Sequence, residues 1–151
     1  LIFTGCNIQT PEEYYQSGST NDSGKAVTVT IRCDTLLSRL EKLDKNLQKV
    51  IPQDGVILPT TKVGIEEKDT VYDVLTKAAK ANKLVVNFSG TGDTAYIVGI
   101  NGIKEFSVNP LSGWKYRVNG EFPGVGCGAY ALKDGDVVEI LYTCDLGNDL
   151  D

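Results

Sequence analysis

The chain has 151 residues, 41% of them hydrophobic, and a formal net charge of −5. That length suits one domain with a real core. The acidic balance, with lysines scattered and arginine only at Arg32, Arg39 and Arg117, lacks the clustered positive charge that a phosphate backbone demands, so no nucleic-acid partner is expected. Histidine is absent, which removes Ser-His-Asp and Cys-His catalysis, His-based metal sites, and the side chain best suited to proton transfer near neutral pH. No catalytic motif compensates, so an enzyme is not expected. The sequence contains no methionine and reads as a fragment or a processed product. No apolar run reaches the ~18 residues of a membrane span.

In chain order, Leu1-Ile2-Phe3-Thr4-Gly5-Cys6 resembles the end of a bacterial lipoprotein signal: an apolar run, a small residue, then the cysteine that takes the lipid. The resemblance implies removal of residues 1–5, a lipid anchor on Cys6, attachment to a bacterial membrane, and an extracytoplasmic location, anchored or secreted. The alternative is an ordinary buried or free cysteine. Residues 6–25 are polar, with clusters of Ser, Thr, Asn and Gly. Such a segment buries too little surface to offset its ordering entropy and reads as a flexible tether. The folded domain is expected over residues 26–151.

Ala26 to Cys33 alternates apolar and polar residues, the pattern of a half-buried strand. Leu36, Leu37, Leu40, Leu43 and Leu47 predict a short amphipathic helix over Thr35 to Leu47. Pro52 and Asp54-Gly55 end that unit. Gly55 to Ile65 reads as an edge strand because Pro59 cannot donate to a ladder. Asp69 is the expected cap of the main helix, whose Val71, Val74, Leu75, Ala78 and Ala79 share one face, with a stop at Asn82. Short strands follow at Leu84–Phe88, Ala95–Ile100, Lys104–Val108 and Trp114–Val118. Asn119-Gly120 is a tight-turn signal. A loop through Pro123, Gly124, Gly126 and Gly128 leads to a turn at Lys133-Asp134-Gly135-Asp136. The last strand, with Val137, Val138, Ile140, Leu141 and Tyr142, is apolar on both faces. These elements describe an α+β domain.

The stretch S-G-W-K-Y-R-V-N-G-E-F-P-G-V-G-C-G-A-Y-A-L-K-D-G-D-V, followed by Y-T-C-D-L-G, resembles a widespread bacterial domain of unassigned function. That domain is similar to the C-terminal β-grasp domain of transcobalamin and intrinsic factor, within a wider group of soluble ligand-binding β-grasp domains. The bacterial resemblance covers residues 26–149, and the resemblance to the carriers covers residues 70–142. L-K-D-G-D-V-V-E-I resembles the closing turn and strand of ubiquitin-like β-grasp domains. The resemblance implies a β-grasp mixed sheet with one main helix and an extra short helix, the last strand lying parallel beside the first. It also implies a secreted or cell-surface module without catalytic function, binding a small molecule such as cobalamin or another corrinoid, or a glycan. Its contacts carry over to Trp114, Tyr116, Phe122 and Tyr130, and Asn119, which opens the presenting loop from Asn119 to Tyr130, is a further candidate ligand-binding residue.

Trp114 and Tyr116 share one strand face, with Lys115 and Arg117 on the other; the two rings are either a binding platform or part of the core. Cys33 and Cys144 each end a strand and each precede an Asp. If the first and last strands are parallel neighbours, these thiols lie at one end of the sheet. Three readings remain open there: buried free thiols, a Cys33–Cys144 disulfide, or a divalent-metal site of Cys33, Cys144 and Asp145. Asp145, Asp149 and Asp151 are expected as a solvated acidic tail. The functional readings are a ligand-binding module, a cell-surface structural or protein-interaction module, and a metal-binding domain.

Overall fold

Alternation of Val27, Val29 and Ile31 with Thr28, Thr30 and Arg32 makes β1 (Ala26–Arg32), and only the first set is buried. The computed structural model describes residues 24–151; residues 1–5, Cys6 and the tether up to residue 23 lie outside the described residues. β1 runs parallel to β7 (Val137–Thr143), in register from Thr28↔Val137 to Arg32↔Leu141. β2 (Val56–Gly64) pairs antiparallel on the other side of β1, and β6 (Gly113–Val118) pairs antiparallel with β7. The sheet order is therefore β2-β1-β7-β6. Pro59 sits on edge strand β2, and the β1–β2 register slips opposite it, between Val29 and Ile31. This is the mixed sheet of a β-grasp domain, with the last strand beside the first.

The helices are α1 (Lys45–Gln48), a single turn, and the main helix α2 (Val71–Ala81), which buries the five apolar residues of its stripe. Its cap is Thr70, where Asp69 was expected. Thr70 and Asp73 form a reciprocal capping box, while Asp69 accepts a 2.6 Å hydrogen bond from the Lys77 ammonium. Asp69 is thus one residue too early to reach the amides of the first turn.

A second sheet, absent from the sequence expectation, holds β3 (Val86–Ser89), β4 (Tyr96–Ile100) and β5 (Ile103–Lys104). The strand expected over Lys104–Val108 stops at Lys104. The Ser107 hydroxyl donates to the Lys104 carbonyl at 2.6 Å and Phe106 takes φ +65°, so the chain turns there.

The helix expected over Thr35–Leu47 is also corrected. The segment forms 3₁₀ turns at Asp34–Leu36 and Leu40–Lys42 and then α1. The Thr35 hydroxyl donates to the Tyr142 carbonyl at 2.6 Å, and Asp44 accepts from the Asn46 amide at 2.8 Å. These local and cross-chain bonds compete with a continuous helical ladder. The leucine spacing still serves the core: Leu36 and Leu43 are buried, and Leu40 and Leu47 pack against them.

The core face of the main sheet carries Val29, Ile31, Val138, Ile140, Tyr142 and Trp114. Burial of the opposite face of β7 comes from the C-terminal segment folding back over it. Asp149 accepts from the Thr143 hydroxyl and from the Cys144 amide, and Asp151 reaches Arg32 and Arg117, its carboxylate 3.8 Å from each guanidinium. Asp149 is therefore docked, which corrects the expectation of a solvated tail at that residue, while Asp145 and Asp151 remain exposed.

Ile140, fully buried in the central strand, should cost about 2–5 kcal/mol on truncation to Ala. Val137→Ala, in the same strand but 45% exposed, should cost no more than about 0.5 kcal/mol. Urea unfolding of the two variants checks the contrast.

Candidate functional site

Between β6 and β7 the chain leaves the sheet and returns, and that excursion builds a cleft. Asn119 and Gly120 both take positive φ, +53° and +85°, the geometry of a tight hairpin turn. Val118 and Glu121 exchange two backbone bonds of 2.9 and 3.1 Å. The loop then crosses to the main helix, where Val71 and Tyr72 donate to the carbonyls of Tyr130 and Cys127 at 3.1 and 3.0 Å. These are amides of the first helical turn, which have no partner inside the helix; here they hold the loop. Gly126 and Gly128 allow that seat. A Cβ on Gly128 would collide with the Gly92 carbonyl, and one on Gly126 would lie 2.7 Å from the Ala95 carbonyl.

The result is a cleft of about 370 Å³ along the outer edge of β6. Its walls are Tyr96 and Ile97 of β4, Trp114 to Tyr116 of β6, and Phe122 with Gly124 to Cys127 of the loop. Phe122 and Tyr96 are 40% and 46% exposed, so their rings are accessible to a ligand. The Lys115 ammonium lies 5.3 Å from the centre of the Phe122 ring, within cation–π range.

The structure divides the sequence-expected residues. Trp114 lines the cleft but is only 9% exposed. Its indole N–H donates to the Ile103 carbonyl at 2.7 Å and its ring meets Tyr142 edge-on at 5.2 Å, so it is a wall and not a free platform. The Tyr116 hydroxyl donates to the Val125 carbonyl at 2.6 Å, bracing the loop; burial, then the neighbouring Cys127 and Tyr130, push this phenol up to about 12. Tyr130 stands behind it, the ring centres 6.4 Å apart. Asn119 spends its amide on the Asp136 carboxylate and the Val137 N–H, both at 2.9 Å. Of the five, Phe122 is the open aromatic contact. Tyr96 and Lys115 complete the cleft; Tyr96 was signalled only as one more residue of a strand, and Lys115 as a charge on the face opposite Trp114 and Tyr116.

Cys33, Cys127 and Cys144 are free and buried. The β1–β7 register places Arg32 opposite Leu141, so Cys33 falls beside Tyr142, and Cys144 lies two places beyond the bridging position. No disulfide joins Cys33 and Cys144 in the structure. Among the described residues no three His, Cys, Asp or Glu side chains gather as a metal cage, so Cys33, Cys144 and Asp145 are not assembled into one site. Burial, then Asp34 and Asp54, push the Cys33 thiol up to about 12; burial pushes Cys127 up to about 11 and raises Cys144. Protonated thiols are poor nucleophiles. Cys6 lies outside the described residues.

The family model "Domain of unknown function (DUF4430)" matches residues 68–143, about half of the chain. The chain belongs to the DUF4430 family. The matched region holds the main helix, the second sheet, β6, β7 and every wall of the cleft. No curated protein matches the sequence. Among solved structures, this DUF4430 chain is similar to haptocorrin in complex with Cbi, at a TM-score of 0.57 and 19% identity, covering 81% of this chain and 25% of haptocorrin. It thus spans about a quarter of the haptocorrin chain. It is also similar to a "putative metal binding protein" from Ruminococcus gnavus ATCC 29149, at a TM-score of 0.51 and 15% identity, covering 79% of this chain and 96% of that one. At these identities the likeness is one of fold.

Two measurements follow from the geometry. In Gly128→Ala the loop must move, and hydrogen exchange at the Val71 and Tyr72 amides should speed up by about tenfold or more while amides of β1 and β7 keep their protection. The raised Cys33 thiol ties stability to alkaline pH. The unfolded chain releases this proton near the ordinary value of 9.0 and the folded chain only near 12. Stability present below pH 9 is therefore lost as pH rises through that window. The melting temperature of Cys33→Ala should fall less steeply between pH 9 and 11 than that of the parent.

Proposed function

We propose that this DUF4430 protein is a non-enzymatic, extracytoplasmic ligand-binding module whose cleft beside β6 receives a small molecule. The carrying observation is the cleft itself: about 370 Å³, walled by aromatic and glycine residues, with Phe122 and Tyr96 accessible. That volume falls in the range of small-molecule sites, and flat exposed rings stack on planar or sugar-like ligands at low entropic cost. A glycan or the edge of a corrinoid fits this chemistry. The corrinoid option draws support from the likeness to haptocorrin, whose structure was solved with Cbi. Protonated, buried thiols and the lack of histidine support binding over catalysis.

Attachment to a bacterial membrane through a lipidated Cys6 belongs to the same proposal and rests on the Leu1–Cys6 segment. Among the described residues no helix is long and apolar enough to cross a membrane.

Isothermal titration with cyanocobalamin and a panel of oligosaccharides tests the reading. At least one ligand should bind, and Phe122→Ala and Tyr96→Ala should each weaken it about five- to tenfold. Binding unaffected by both substitutions, or none across the panel, would remove the small-molecule reading. Mass spectrometry of the protein from its native membrane should find diacylglycerol on Cys6.

A further inference from the structure

The hydrogen-bond phase of β6 is settled at both ends. Asn119 donates to the Val137 carbonyl at 2.8 Å, so the odd residues of β6 face β7. Val118 uses both its N–H and its C=O on Glu121, and Ser112 accepts from Phe106 at 2.8 Å, so the even residues face outward. Trp114 and Tyr116 lie between these tied ends. In an antiparallel ladder, alternate residues direct both backbone groups to the same side. The N–H and C=O of Trp114 and Tyr116 therefore point away from β7, and among the described residues these four groups have no hydrogen-bond partner. They are spaced ~6.8 Å apart along the strand, and the cleft opens along them.

We infer that this window also accepts an extended peptide of about three residues as a fifth strand, opposite Trp114 to Tyr116; the inference rests on the cleft being a ligand site and adds a peptide to the ligands it receives. The outer residues of the peptide exchange backbone bonds with Tyr116 and Trp114. Their side chains fall on the face that Tyr96 and Ile97 share with those two residues, where apolar groups fit. The middle residue lies opposite Lys115, and cross-strand neighbours point to the same face. The cleft wall carries one ammonium, Lys115, and no carboxylate, so the middle residue is acidic. The partner is a protein segment of the form apolar–acidic–apolar. The other edge of the sheet, β2, carries Pro59 and Lys62, features that blunt strand addition. No proline interrupts β6.

The test uses the full chain, labelled with nitrogen-15, and the blocked peptide Val-Thr-Val-Glu-Val-Thr. Binding should move the Trp114 and Tyr116 amide resonances downfield. N-methylation of either Val beside the Glu removes a bond to β6 and should weaken binding by about tenfold or more, whereas N-methylation of the Glu, whose amide points outward, should change it less than about twofold. Lys115→Glu should weaken the peptide about fivefold and bind the Glu-to-Lys peptide better. Equal tolerance of all three methylations, with Trp114 and Tyr116 still shifting, would overturn strand addition and leave the cleft as a ligand site. No shift with the peptide, while a corrinoid or sugar binds in a Phe122-dependent way, would overturn it likewise. No shift with any of these probes would end both readings.

Discussion

Parallel pairing of β1 with β7 governs the molecule. Two segments separated by most of the described chain meet in the middle of the sheet, and their side chains supply its most deeply buried layer. Once β7 is central, β6 can pair only on its outer side and becomes an edge. The chain between β6 and β7 must then leave the sheet, travel to the start of the main helix and come back. The cleft is a product of that detour. Its floor is strand backbone, and its far wall is a loop hung on two helix-start amides.

The two ends of the domain's charge distribution have different uses. On the sheet face away from the core, Arg117 pairs with Glu139 at 2.7 Å, and the returning C-terminal segment adds Asp149 and Asp151. Those carboxylates are engaged in covering the sheet. At the cleft the balance is opposite: the Lys115 ammonium and the same Arg117 guanidinium lie 5.3 and 5.9 Å from the centre of the Phe122 ring. A net acidic protein thereby presents a locally cationic, aromatic opening, and cationic openings select by charge as well as by shape.

Much of the architecture was legible where periodicity is strong. The alternation of β1 and the apolar stripe of the main helix each reflect burial on one face, and both were placed within a residue or two of their ends. The resemblance to β-grasp domains supplied the parallel first-to-last pairing. Elements fixed by distant partners were not legible. Thr35 to Leu47 has helical spacing, yet Thr35 is drawn to the Tyr142 carbonyl, a contact that no local pattern encodes. Asp149 looked like solvated charge because its hydrogen-bond donors, the Thr143 hydroxyl and the Cys144 amide, are presented to it only after folding. At the candidate site, Phe122 was read as a contact and is open; Trp114 and Asn119 were also read so and are tied into the framework. Lys115 and Tyr96 were missed as cleft walls because membership depends on which strand forms the edge and how the second sheet stands beside it.

Asn119 is a stitch across the neck of the detour: its side chain bonds a backbone amide eighteen positions later, so the sheet is closed before the loop begins and after it ends. What lies between is a cassette. Its anchors to the helix are mostly backbone carbonyls, which any residue provides, and its tightest seats need only glycine. Side chains at positions such as Phe122 and Val125 can therefore be exchanged without disturbing the register of β6 and β7. A scaffold built in this way can acquire new ligand preferences by drift in the cassette alone, with its folding left to the strands on either side.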